Sequence, residues 1–195
     1  IPLIAIPFFI LAGQIMSEGR IAERLVNFAS LFVGRIRGGL AMINCVDSMF
    51  FGGISGSAVA DVSSLGSIMI PAMEKKGYTK NFAIALTVTT AVQAVLIPPS
   101  HNMIIYSMAS GGTSIGRLFL AGALPGILLG ISLMVASYIL AVKYNFPRET
   151  WPGWRRAVVI FVEGLLSVGV AVLIMGGIIT GIFTASESAA VAVVY

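Results

Sequence analysis

Charge is what this sequence is short of. Asp, Glu, Lys and Arg together make up 10% of its 195 residues, against 57% hydrophobic residues. A soluble domain of this size carries roughly a quarter charged residues, because its surface must be clothed in groups that water solvates. The shortage excludes a water-soluble globular domain and leaves lipid as the solvent. Cysteine and histidine are scarcer still, with Cys45 and His101 the sole examples. One cysteine permits no internal disulfide. One histidine with no second His, Cys or carboxylate at ligand spacing makes no metal site of the zinc type. No nucleophile–base pair or phosphate loop is present, so an enzyme is not expected. The net charge of +4 does not point to nucleic acid, because the basic residues fall in short clusters between apolar stretches, as cytoplasmic loops do. No initiator Met or cleavable leader precedes the first apolar run, and Ser188–Tyr195 ends in a helical pattern. The expectation is an internal piece of a longer chain.

What is present is an all-α polytopic membrane pattern, with room for about five or six segments of roughly 20 residues. Residues 1–18 read as the end of a membrane helix. Residues 19–36 read as an amphipathic arm, with Arg20, Glu23, Arg24, Asn27 and Gly34 on one face and Ile21, Leu25, Phe28 and Phe32 on the other. Such a helix lies along the membrane surface or serves as a cytoplasmic connector. Residues 37–77 are flanked by Arg35 and Arg37 at one end and Glu74-Lys75-Lys76 at the other, so the positive-inside rule puts both ends in the cytoplasm. The middle of this segment, Phe51 to Ala58, holds three glycines and two serines, a poor interior for a continuous helix. A re-entrant hairpin of two half-helices follows.

Residues 79–112 read as one crossing, capped by Thr79 and broken at Ile97-Pro98-Pro99-Ser100, because tandem prolines remove two donors and disfavour helix before them. Thr87, Thr89, Thr90 and Gln93 bring polar groups just before the break. Residues 113–143 and 157–182 read as conventional spans. The cytoplasmic loop 144–156 between them carries Arg148, Arg155, Arg156, Trp151 and Trp154, and 183–195 begins a further helix with Thr184 and Glu187 at capping-box spacing. Arg117 falls on the outer side in this scheme, an exception to the charge rule.

Two interrupted helices in one membrane half point to ion-coupled transport. Free carbonyls at such interruptions bind sodium, and half-helix N-termini face anions. Hard oxygen ligands are offered by Ser55, Ser57 and Asp61 at and beyond the hairpin tip, and by Ser100 and Asn102 at the break. A packing role is the alternative for Gly52, Gly53, Gly56 and Ser57. Asp61 is a costly carboxylate in an apolar hairpin, functional or paired within the structure. Asp47 stands open between structure and ion handling. His101 beside the prolines reads as a hydrogen-bonding residue that holds the break.

From end to end the chain resembles the large membrane subunit of the tripartite ATP-independent periplasmic (TRAP) transporters. The resemblance is carried by Ala5-Ile-Pro-Phe-Phe-Ile-Leu-Ala-Gly13, Arg35-Ile-Arg-Gly-Gly39, Met49-Phe-Phe-Gly-Gly-Ile-Ser-Gly-Ser-Ala-Val-Ala-Asp61, Ile97-Pro-Pro-Ser100 and Phe183-Thr-Ala-Ser-Glu-Ser-Ala-Ala190. It implies the first inverted repeat of an elevator-type importer in the bacterial inner membrane, with 183–195 starting the second repeat. Transport would be sodium-coupled and directed to an organic anion. A periplasmic substrate-binding protein would deliver the anion, and a small membrane subunit, separate or fused, would brace the scaffold. By motif it implies sodium at Ser55, Gly56, Ser57, Asp61, Pro98, Pro99 and Ser100, with Ser55, Ser57 and Asn102 on the substrate side. The strip Ala91–Asn102 looks more like the sialic-acid branch than the dicarboxylate one. The competing readings are a dicarboxylate carrier of similar architecture without a binding protein, and a non-coupled channel or scaffold subunit.

Overall fold

The computed structural model describes residues 4–195, and no strand occurs among them. Helices α1 (Ala5–Glu18), α2 (Ile21–Val33), α3 (Gly39–Ser55), α4 (Ala58–Lys75) and α5 (Lys80–Ala91) come first. They are followed by α6 (Gln93–Leu96), α7 (His101–Ala109), α8 (Ile115–Lys143), α9 (Trp154–Ile179) and α10 (Ala185–Val194). The first three residues of the expected 1–18 segment lie outside the described residues. Two helices, α8 and α9, are each long and apolar enough to cross a bilayer. A third crossing is made if α5–α6 and α7 count as one span bent by 50°. The chain is an all-helical membrane protein.

Local chemistry sets the helix ends. Ser57 and Thr79 occupy N-caps, their hydroxyls accepting the backbone N–H of Ala60 and Phe82. Thr184 and Glu187 form a full capping box at the start of α10, satisfying two orphan donors reciprocally. Gly56 stops α3 in the left-handed region at φ 60°, a conformation that costs a Cβ-bearing residue more than glycine. The break expected within Phe51–Ala58 falls at Gly56-Ser57, while Gly52 and Gly53 lie inside α3, which ends at Ser55. For Gly52 the packing alternative holds. A Cβ on Gly52 would sit 2.5 Å from the Ala94 Cα, so the backbones of α3 and α6 meet there with no room for a side chain.

The hairpin α3–α4 is the centre of the molecule. Almost every residue of α3 is buried, packed by α2 on one side and by α5, α6 and α8 on the others. Helix α8 reads differently on its two sides. Leu120, Leu124, Leu128, Ile131, Val135 and Ile139 form an exposed stripe at helical spacing. The buried side carries Phe119, Gly126, Gly130, Ser137 and Ala141. In α2, Leu25 and Phe28 are buried as the amphipathic pattern predicts, but Phe32 is 57% exposed and packs edge-on against the Phe28 ring.

The loop between α8 and α9 ties the ends of several helices together. The Pro147 carbonyl accepts the N–H groups of Gly38 and Gly39, and Glu149 N–H donates to the Gly34 carbonyl. Arg37 donates to the Asn145 amide oxygen at 2.8 Å, and Lys76 pairs with Glu149 at 3.1 Å. Tyr78 stacks on Phe146 with ring centroids 4.1 Å apart.

Candidate functional site

The tip of the hairpin rests directly on the break of the bent helix. A Cβ on Gly56 would stand 2.9 Å from the Pro99 carbonyl oxygen and from the Ser100 Cα, so two irregular backbone segments are in contact. A Cβ on Gly53 would lie 3.3 Å from the Pro98 oxygen. The peptide bond between Pro98 and Pro99 is cis. Ser55, Gly56, Pro98, Pro99 and Ser100 are all buried, and the Ser100 hydroxyl has no hydrogen-bond partner there. On the other side of the tip, α1 approaches closely: a Cβ on Gly13 would lie 3.3 Å from the Ser55 Cα.

Four helix ends converge at this contact. The last carbonyls of a helix lack intrahelical donors, and its first N–H groups lack acceptors, giving ends of opposite partial charge. The C-termini of α3 and α6 therefore present oxygens. Of these, the Gly52 carbonyl is closed by Gly56 N–H and the Gln93 carbonyl by Ile97 N–H. The N-termini of α4 and α7 present donors. Ser57 caps α4, whereas Ser100 makes no side-chain cap on α7. A cavity of about 320 Å³ opens beside the tip, lined by Gly13, Gln14, Ser55, Ser57, Ser63, Ser64 and His101, among others. The His101 ring lies against the Ser55 backbone, and its Nδ1 has no partner.

The remaining sequence-predicted residues are placed apart from that contact. Asp61 lies one turn beyond the tip, fully buried, and accepts a 2.8 Å hydrogen bond from the Ser48 hydroxyl on the opposite half-helix. Its second oxygen, and both oxygens of the fully buried Asp47, have no hydrogen-bond partner. Asp47 is close enough to Asp61 to feel its charge. Asn102 does not join the tip: it is exposed on α7 and does not line the cavity.

Sequence reasoning noted Thr87 and Thr90 but not their partner Asn44, and so missed two arrangements that shape the site. The first is a buried ladder joining the hairpin to α5. The Asn44 amide donates to Thr87 at 2.8 Å and accepts from Thr90 at 3.1 Å. Asn44 and Ser48 are four residues apart on α3, and Thr87 and Thr90 three apart on α5, spacings that place each pair on one helix face. The second is the run Gly122, Gly126 and Gly130 on α8. Cβ atoms there would collide with the Leu96 carbonyl oxygen at 2.6 Å, the Ile97 side chain at 2.6 Å and the Gln93 side chain at 2.5 Å. Small residues at four-residue spacing are a recognised signal for close helix approach in membranes. Here they receive the break.

The family model described as "Tripartite ATP-independent periplasmic transporter, DctM component" matches residues 1–195. The C4-dicarboxylate TRAP transporter large permease protein DctM of Vibrio cholerae is 46% identical over 193 residues, covering 99% of this chain and 42% of that protein. The sialic acid TRAP transporter large permease protein SiaM of the same organism is 42% identical over 193 residues, covering 99% of this chain and 45% of that protein. The ectoine TRAP transporter large permease protein TeaC of Halomonas elongata matches with the same identity and coverage as SiaM. The chain thus spans less than half the length of these relatives, which are transporter permease subunits and not enzymes. With its whole length matched, the chain belongs to the DctM family of TRAP transporter large permeases.

Proposed function

We propose that this chain is the half of a bacterial inner-membrane permease that couples inward sodium movement to uptake of a carboxylated solute. A periplasmic binding protein hands over the solute, and a small membrane subunit, separate or fused, steadies the permease. The observation that carries this reading is the convergence of four helix ends where the Gly56 backbone meets Pro99 and Ser100. Oxygens at the C-termini of α3 and α6, with the buried Ser100 hydroxyl, suit a hard monovalent cation, and the donors opening α4 and α7 suit an anion.

Sodium is held in this reading by Ser55, Gly56, Ser57, Pro98, Pro99 and Ser100, with Asp61 supplying the compensating charge from one turn away. Ser55 and Ser57, which line the cavity, face the solute, and Asn102 joins them only if α7 turns toward the tip. The hairpin and the broken helix move together as the carrying unit of an elevator. Sialic acid or a related sugar acid is the first solute to try. A C4-dicarboxylate is the second, favoured by the higher identity to a dicarboxylate permease than to the sialic acid one.

The test is uptake of labelled sialic acid, then of C4-dicarboxylates, by the full-length permease in proteoliposomes with its binding protein. Sodium-dependent uptake of either supports the reading and selects the solute. Uptake indifferent to a sodium gradient, or passive conductance, supports a channel and overturns it. Uptake that proceeds without a binding protein favours a carrier of the simpler kind.

A further inference from the structure

Away from the tip, at the end of the molecule where α2, α9 and the 144–153 loop meet, two cavities share one wall. The first, of about 250 Å³, is lined by Ser30, Arg35, Glu149 and Arg156 together with the apolar Leu40, Ile43 and Ile160. The second, of about 280 Å³, is almost wholly apolar and runs past Phe32, Trp154, Val158 and Phe161. Trp151 lines both. Its ring takes the Arg35 guanidinium at 5.8 Å and stands edge-on to Trp154 at 5.9 Å. Glu149 pairs with Lys76 through Oε2, and its Oε1 is buried with no hydrogen-bond partner. Among the described residues neither Arg35 nor Arg156 has a carboxylate partner, since the one ion pair there is that of Lys76.

We propose that these two cavities, adjacent across Trp151, bind one anionic phospholipid of the phosphatidylglycerol class. Its phosphate sits between Arg35 and Arg156, and one acyl chain lies along the apolar groove. Three observations favour this occupant. Both arginines lie on one side of Trp151 and an almost wholly apolar groove on the other, the division that an amphiphile has and a plain helix lacks. It sits where Arg155 and Arg156 give way to the apolar run of α9, the level at which tryptophan and basic residues meet headgroups. The basic cavity equals roughly eight water molecules' share of liquid volume at about 30 Å³ each, room for a phosphate and a glycerol. An apolar helix of a partner subunit would cover the groove and leave both arginines uncompensated. The proposal rests on the chain lying in a bilayer, and not on sodium coupling or on the identity of the solute.

Both tryptophans of this chain border the site, which supplies the probe. The full-length permease with its small subunit is reconstituted in vesicles of phosphatidylcholine containing a fixed fraction of acyl-brominated phosphatidylglycerol or acyl-brominated phosphatidylcholine. The Trp154 signal is taken as the difference between wild type and Trp154→Phe. Brominated phosphatidylglycerol is expected to quench it well beyond brominated phosphatidylcholine. In the Arg35→Gln/Arg156→Gln variant the apparent affinity for the anionic lipid is expected to fall on the order of thirty-fold, for two lost cationic contacts near an anionic headgroup. Arg117→Gln, at the far end of α8, should leave the preference intact. Millimolar inorganic phosphate should not compete, since it cannot fill the groove. Equal quenching by the two lipids, or a preference that survives the double variant, overturns the proposal. So does quenching that appears only after the small subunit is removed, which would give the groove to that subunit.

Discussion

Replacing Gly56 by alanine should separate two effects that meet at the hairpin tip. The first is conformational: φ is +60° at this residue, and a left-handed conformation costs a Cβ-bearing residue roughly 1–2 kcal/mol. The second is steric. The new methyl would lie 2.9 Å from the Pro99 oxygen and the Ser100 Cα, both backbone atoms that cannot rotate away. Overpacking of that kind costs about 1–3 kcal/mol. The sum is about 2–5 kcal/mol. Two companions isolate the parts. Gly77→Ala carries a φ of +88° with open space around it and should lose only the conformational part. Gly52→Ala has ordinary helical geometry but a Cβ 2.5 Å from the Ala94 Cα, and should lose only the packing part. Thermal unfolding midpoints of the purified full-length permease in detergent, with sodium-driven uptake in parallel, give the comparison. Gly56→Ala and Gly52→Ala should both abolish or strongly reduce uptake, with Gly77→Ala close to wild type. If Gly52→Ala matched the wild type in both assays, the direct seating of the hairpin on the broken helix would be wrong.

Further outcomes concern the polar groups of the hairpin and its partners. Asp61→Asn keeps the shape and the contact with Ser48 but removes the charge, and should raise the sodium concentration for half-maximal uptake by tenfold or more. Uptake with unchanged sodium dependence would remove Asp61 from coupling. Ser48→Ala strips from the Asp61 carboxylate its one donor among the described residues, a charge-assisted bond of about 1.5–3 kcal/mol. It should weaken sodium dependence less than Asp61→Asn does, and a larger effect would contradict its indirect role. Asn44→Ala breaks two buried bonds between α3 and α5 and should lower stability by about 1–2 kcal/mol, read as a lower unfolding midpoint. Lys76→Ala removes an ion pair with a half-exposed lysine and should change stability by less than about 1 kcal/mol, a change that shrinks further in high salt.

The large features were legible because they are written in composition and in breaker residues. The proline pair, the Gly56-Ser57 stop and the Thr79 and Thr184 caps act within a few residues of themselves, so sequence alone exposes them. Less of the site was legible, since the site is made by contacts between elements far apart in the chain. The approach of Gly56 to Pro99 spans more than forty residues, and nothing in either motif states the pairing. Gly52 and Gly53 show the ambiguity: the same residue breaks a helix in one setting and lets a neighbour come close in another. Helix α8 posed a different problem. Both of its faces are apolar, so hydrophobic periodicity cannot orient it, and only side-chain size distinguishes the glycine side from the leucine side.

The glycine run on α8 also bears on mechanics. Opposite Gly122 and Gly130 lie the thioethers of Met103 and Met49, with the Ile97 side chain between them at Gly126. Unbranched methionines re-form around a changed neighbour more readily than branched residues do. Ordinary helix pairs interlock like gear teeth, ridge in groove, and must climb one another to slip. This seam has a smooth rail on one side and pliant pads along most of the other. A side chain at any of the three glycines would wedge the seam open, and on the α8 side there is no ridge for a neighbour to climb.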